Sequence, residues 1–424
     1  MRKGDVILNA CVWETLYRSL QKPHLDPVIT GFNTNIDRVI PLTPDMLRSF
    51  EHHTVPGFDS LLDRLKQSMR YCAADEVFIS ELSAYHELTD YFSPSGTLSI
   101  GGQAGIAAVH LLRLGIPHVT CAVPGAGPKT RAILQNAGAI PLTFEPGAGD
   151  RSDIIHLVFE YPPGLVPLAD HVVPRNNRFI VSPVHGSSTV IIPDASVNAF
   201  LEQISACRRA FLSGYQYLHT EQEFVTAARQ IRMIRSVHPL MRTHVECVSG
   251  ADRHVMAMIL RHIFPSTDSI GLNERELGLF MHALQAPDPT PAAILPDSPV
   301  ACVRDAIALA DATGVPRIHL HTFGYYILIL KSGSSQPEVS RNALLLAARV
   351  TADAAGSGDQ ILSREGLLAY AAVREVFGPD ETPGIFEVGN RVVIIVPTYI
   401  SQTINKTTGL GDILSSTAFI ADRF

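Results

Sequence analysis

The segment Thr407-Thr408-Gly409-Leu410-Gly411-Asp412, followed by ILSSTAFIADRF, concentrates more chemistry than any other stretch of this chain. The run after Asp412 has helix character, which puts two glycines and a carboxylate at a helix N-terminus. The glycines let backbone N–H groups converge on one point, and the helix dipole favours an anion there. A transferring phosphoryl group is such an anion. A carboxylate beside that nest repels phosphate, so it makes sense as a base that takes a proton from an attacking hydroxyl. Gly409, Leu410, Gly411 and Asp412 are therefore the candidate catalytic set. On these residues alone a plain loop, with Asp412 as a helix cap, is the preferred reading, and the catalytic one gains weight only from the rest of the chain.

The elements that must hold this turn alternate along the chain. Val28 to Phe32, His118 to Val123, His244 to Val248, Ser269 to Leu272 and Arg317 to His321 read as strands. Ala104 to Leu114, Glu223 to Val237, Val255 to Ile263 and Val303 to Ala312 read as helices. This rhythm predicts an α/β fold with a mostly parallel sheet covered by helices. Residues 151–186 break it: IIHLVFEY and NRFIVSP are joined through Pro162-Pro163-Gly164 with no long helix between them. They predict antiparallel strands of a separate small sheet. The Pro-rich stretch 285–299 predicts an exposed loop.

The chain has 424 residues, enough for two or three domains. Hydrophobic residues are 46% and charged residues 18%, a globular composition. The net charge of −7 argues against a general nucleic-acid binder, which needs a basic face. No stretch suits a membrane span, and the N-terminal apolar run is too short for a signal peptide. Six scattered cysteines without C-x-x-C spacing predict reduced thiols and a cytoplasmic protein.

Six more polar clusters accompany the C-terminal turn. They are Asn33-Thr34-Asn35-Ile36-Asp37, Gly101-Gly102-Gln103-Ala104-Gly105, Asn177-Arg178-Phe179-Ile180, Thr243-His244-Val245-Glu246, Gly271-Leu272-Asn273-Glu274-Arg275-Glu276 and His321-Thr322-Phe323-Gly324-Tyr325. Each has a bland reading taken singly: a polar turn, a helix start, an edge arginine, a surface Glu beside a buried His, an Asn cap, an aromatic core strand. Together, from about Gly31 to the C-terminus, they resemble the ADP-dependent glucokinases and phosphofructokinases of the ribokinase superfamily.

The resemblance implies a ribokinase-like three-layer sandwich. Residues 1–32, 104–149 and 187–424 would form the large nucleotide-binding domain, and 33–103 with 150–186 a smaller β-lid over the sugar. It implies transfer of the ADP β-phosphoryl group to a sugar hydroxyl. Asn33, Asn35, Asp37, Glu76, Gly102 and Gln103 would bind sugar, and Arg178, Asn273, His321 and Tyr325 nucleotide. Glu246, Glu276 and Asp412 would be the carboxylates facing Mg²⁺ or another divalent cation, Glu246 and Glu276 largely through water.

The acceptor follows from pocket charge. Fructose 6-phosphate is an anion that calls for Lys or Arg, whereas glucose calls for a hydroxyl acceptor. In the family a Glu before the Gly-Gly-Gln segment goes with glucose, and Glu76 stands there. Val184 stands where the phosphofructokinases carry Arg. Both favour glucose, with Arg151 or Arg175 as alternative sources of positive charge. A phosphofructokinase or bifunctional enzyme is the second reading, and a silent sugar- or nucleotide-binding regulator the third. The chain departs from the family near Tyr399, where many relatives have a basic residue; Lys406 could substitute. Monomer and dimer both remain open.

Overall fold

The computed structural model describes residues 3–21, 25–50, 58–72, 75–123, 126–144, 153–166, 171–184, 190–248, 253–285, 296–334, 336–404 and 408–424. Ten strands form the main sheet, in the order Ile385–Val388, Arg391–Pro397, Tyr325–Lys331, Arg317–His321, Ser269–Leu272, Arg242–Glu246, Arg209–Leu212, Val28–Gly31, Val119–Ala122, Ile140–Leu142. From Arg317–His321 to Ile140–Leu142 every pairing is parallel. The three pairings on the other side are antiparallel. The sheet is thus mostly parallel, as the sequence rhythm predicts. Its strands read as unbroken apolar runs such as YYILIL and RVVIIVP because both faces are covered.

The flanking helices carry their own boundary signals. Glu221–Ser236 opens on a full capping box, Thr220 with Glu223. Gln103–Leu114 ends on Gly115 at φ 98°, a left-handed cap that glycine adopts without a Cβ clash. The last helix, Leu410–Ala421, is buried from Ile413 to Ala421, between the sheet and the helices Gln103–Leu114 and Pro337–Ala355. The first helix, Lys3–Arg18, sinks Trp13 and Tyr17 into the main core, with Trp13 edge-on to Tyr370 at 5.2 Å.

A second sheet of five strands runs Asp75–Ile79, Asn177–Pro183, Ile155–Tyr161, Asn35–Pro41, Thr97–Gly101. The pair from 151–186 is antiparallel, as expected. One face of this sheet joins the helices Pro44–Phe50, Phe58–Tyr71 and Leu82–Tyr91 in a separate apolar core. Phe92 meets Phe159 at 5.0 Å and Phe50 at 5.6 Å there. Helices thus accompany the small sheet, because a five-stranded sheet with one apolar face needs elements to cover it.

Most boundaries differ from the sequence reading by a few residues, and three differences bear on the site or its flanks. The strand expected to reach Val248 ends at Glu246. The helix expected over Val255–Ile263 is α-helical only as Arg253–Met258 and continues as a π-helical turn, Ile259–Ile263. Of the Pro-rich stretch, 286–295 lies outside the described residues, while Pro299 opens the helix Pro299–Thr313 behind a Ser298 cap. All six cysteines are unpaired. Among the described residues no helix is long and apolar enough to cross a membrane.

Candidate active site

The carboxyl ends of the parallel strands face the polar side of the small sheet across a cavity of about 540 Å³. This is where open α/β sheets bind ligands. The segments after Val28–Gly31, Arg209–Leu212, Arg242–Glu246 and Ser269–Leu272 reach it, as does His321 at the end of Arg317–His321, and the helix Leu410–Ala421 aims its N-terminus into it.

At that N-terminus Gly409 takes φ 73°, which an L side chain rarely adopts. The first helical bond runs from the Ile413 amide to the Gly409 carbonyl. The amides of Leu410, Gly411 and Asp412 precede it and have no intrahelical acceptor, an arrangement able to receive an anion. Asp412 is half-buried beside them. Burial, then the nearby Glu246 carboxylate, push its carboxyl up to about 7, against partial opposition from His321 and Arg178. A carboxylate poised near neutral pH suits a base that must both take and release a proton.

Glu246 is the opposite case. It accepts a hydrogen bond from His244 Nε2 at 3.0 Å on one oxygen and from His321 Nε2 at 3.0 Å on the other. The Ser415 hydroxyl donates to the first oxygen as well. Burial works to raise this carboxyl, but the donors outweigh it and hold it down at about 2. Two carboxylates in one cavity thus have their proton affinities driven apart, one to stay charged and one to exchange. Gly271 makes room for this cluster. A Cβ there would overlap Glu246 Oε2 and lie 2.6 Å from Ser415 Oγ and 2.8 Å from His244 Nε2.

Asn273 and Glu276 cap their helix reciprocally. The Asn273 amide donates to Glu276 Oε2 at 2.8 Å, and the Glu276 amide to Asn273 Oδ1 at 2.9 Å. Both also line the cavity, so serving as a helix cap does not remove them from the site.

On the small sheet, alternation puts Asn35 and Asp37 on one face, and the Asn35 amide donates to Asp37 Oδ1 at 2.7 Å. Gly101 and Gly102 are needed because these side chains and the Asn33 carbonyl occupy the space of any Cβ. The glycines therefore admit the polar side chains themselves. Gln103 donates to the Cys247 carbonyl at 3.0 Å, and its buried Oε1 has no partner among the described residues. Asn35 Oδ1 is in the same condition. Ser182 donates to Glu76 Oε1 at 2.6 Å.

The cavity gathers Asn33, Asn35, Asp37, Glu76, Gly102, Gln103, Arg178, Glu246, Asn273, Glu276, His321, Gly409, Leu410, Gly411 and Asp412. It does not gather Tyr325. That ring is buried in the main core, its hydroxyl 3.8 Å from Cys302 Sγ. Sequence reasoning gave no role to Gln216, Tyr217 and His219, which also line the cavity. Their position just past the strand Arg209–Leu212 was the available signal. His156 lines it too, paired in register with Asp37. Arg175 is exposed and outside the cavity lining. Arg151, Lys406 and Thr407 lie outside the described residues.

A helix N-terminus with free amides, a neighbouring carboxylate with raised proton affinity and a facing polar sheet, on a ribokinase-like fold, suit a phosphotransferase. The model of the ADP-specific phosphofructokinase/glucokinase conserved region matches residues 26–421, and the chain belongs to that family of ADP-dependent sugar kinases. An ADP-dependent glucose/glucosamine kinase of Pyrococcus abyssi is 28% identical, over 97% of this chain and 98% of the relative. An ADP-specific phosphofructokinase of Methanosarcina acetivorans is 25% identical, over 94% of this chain and 93% of the relative. A solved ADP-dependent kinase in complex with fructose 6-phosphate and ADPβS superposes with a TM-score of 0.79 at 23% identity, covering 99% of this chain and 98% of that one. That likeness establishes the fold.

Proposed function

We propose that this enzyme phosphorylates glucose, with ADP as donor. The observation that carries the reading is the charge of the cavity. Five carboxylates line it, Asp37, Glu76, Glu246, Glu276 and Asp412, and among the described residues Arg178 is the single Lys or Arg. A dianionic phosphosugar would meet an unfavourable field there, whereas the hydroxyls of a neutral hexose can donate to Glu76, Asn35 Oδ1 and Gln103 Oε1. Val184 lines the cavity where a phosphofructokinase would carry a cation. Relatives with both names keep fructose 6-phosphate as the second reading.

In this reading Asp412 accepts the proton of the attacking hydroxyl, and the amides of Leu410 to Asp412 stabilise charge developing on the phosphoryl group. Arg178 suits an ADP phosphate, being always charged and bidentate. The unit built on the small sheet acts as a lid whose closure excludes water, the competing acceptor. Among the described residues no three carboxylate, imidazole or thiolate groups converge as a direct metal cage. The donor set still fits hydrated Mg²⁺, which keeps several waters; Glu246 and Glu276 would hold it through them. When bound, the ion supplies charge neutralisation to the ADP phosphates.

Calorimetric titration in the presence of ADP tests the acceptor. Glucose is expected to bind at least ~10-fold more tightly than fructose 6-phosphate, about 1.4 kcal/mol of discrimination. Equal or reversed affinities would overturn the assignment.

A further inference from the structure

Beneath the cavity a line of buried polar groups crosses the main sheet. Asp422, just past the last helix, accepts from Arg317 Nε at 2.9 Å. Arg317 also donates to Ser269 Oγ at 2.9 Å. Ser269 Oγ lies 2.8 Å from His244 Nδ1, and His244 Nε2 lies 3.0 Å from Glu246 Oε2. All five side chains are buried. Phe211 and Phe419 stack on the two faces of the His244 ring at 5.2 and 4.9 Å, which fixes its plane.

The direction of this line follows from its far end. A guanidinium has only donors, so Ser269 Oγ must accept from Arg317. Among the described residues the serine hydrogen then has one partner within reach, His244 Nδ1. That nitrogen must accept, which leaves the ring proton on Nε2, pointed at Glu246. The opposite tautomer would strand a buried hydroxyl hydrogen and set an imidazole lone pair against a carboxylate. Nothing in the His-x-Glu spacing contains this information, because it enters from strands 25 and 73 residues further along the chain.

We propose that Arg317 and Ser269 are positioning residues that set the His244 tautomer and, through it, the orientation of Glu246 in the active site. Neither lines the cavity. The Asp422 carboxylate holds the guanidinium in place, with the Ser340 hydroxyl on its other oxygen at 2.7 Å. Both ends of the last helix are thereby linked: its N-terminus forms the anion nest, and the residue after its C-terminus anchors the line that orients Glu246.

The test is long-range ¹H–¹⁵N correlation on the full chain labelled at histidine nitrogens, with His244 assigned from the signals lost in His244→Gln. The wild type is expected to show His244 protonated on Nε2 and bare on Nδ1. Ser269→Ala is expected to shift it towards the Nδ1-protonated form. Glucose phosphorylation by that variant should lose ~10-fold or more in kcat with the sugar KM nearly unchanged. Ser269→Thr, which keeps the hydroxyl, should restore both. A wild-type His244 protonated on Nδ1 or on both nitrogens overturns the proposal, and so does a Ser269→Ala spectrum identical to wild type. If Ser269→Ala does not fold, the wild-type spectrum alone decides. The tautomer is read without turnover, so a wrong sugar assignment cannot be confused with a failed relay.

Discussion

Replacing Asp412 with Asn should cost catalysis and increase stability. The side chain keeps its size and loses its charge. In the wild type, burial and the neighbouring Glu246 raise the carboxyl from an ordinary 3.8 to about 7. At ~1.36 kcal/mol for each tenfold change in proton affinity, this is at most ~4 kcal/mol of strain in the ionised folded protein. Asp412 is only half-buried and cavity water screens it, so about 1–2 kcal/mol is the working figure. The folded state holds this proton more tightly than the unfolded chain. The wild type therefore loses stability as pH rises from about 4 to about 7 and carries the full penalty above that. Asp412→Asn should melt roughly 1–3 °C higher than wild type at pH 8, with the gap closing near pH 4. Its kcat should fall by at least ~100-fold, and the wild-type kcat/KM should decline below pH ~7 as the base is protonated. Calorimetric melting at several pH values, with steady-state kinetics, reads all three. Near-normal turnover, or a melting difference that ignores pH, refutes the assignment of Asp412 as the strained base.

Three other perturbations test separate parts of the site. Gly271→Ala should reduce kcat by more than ~10-fold and lower stability by ~1–3 kcal/mol, because its Cβ displaces Glu246, Ser415 or His244; a kinetically normal variant would show that the cluster is not needed. Val184→Arg should raise kcat/KM for fructose 6-phosphate by about 10-fold through a charge-assisted contact, and no gain would mean that Val184 does not face the acceptor. Removing Mg²⁺ with a chelator should abolish turnover and leave the melting temperature nearly unchanged, since Glu246 and Glu276 already have protein partners; a drop of several degrees would instead indicate a structural metal.

The candidate site was legible in the sequence wherever its placement depends on local order. Gly409 to Asp412 announce a helix N-terminus at the cavity because glycine, helix start and carboxylate are adjacent. Asn35 and Asp37 announce a polar face because strand periodicity is two. The parallel strands were visible because alternating strands and helices impose that architecture. The direction of Tyr325 was not legible, because the strand Tyr325–Lys331 is buried on both faces and alternation says nothing about which face meets the cavity. Gly271 looked like an ordinary strand residue. Its role arises where side chains from residues 244, 246 and 415 converge, which only tertiary structure brings about. The helices covering the small sheet and the buried Trp13 were missed for the same reason: their partners are distant in sequence.

A turnover matrix with Mg²⁺ present, pairing ADP and ATP with glucose and fructose 6-phosphate, bears most directly on the whole account. Glucose with ADP should give the highest kcat/KM, by ~10-fold or more over the other three pairs. Preference for fructose 6-phosphate would contradict the acceptor drawn from the acidic cavity, and tight glucose and ADP binding without any turnover would contradict the roles given to Asp412 and the nest.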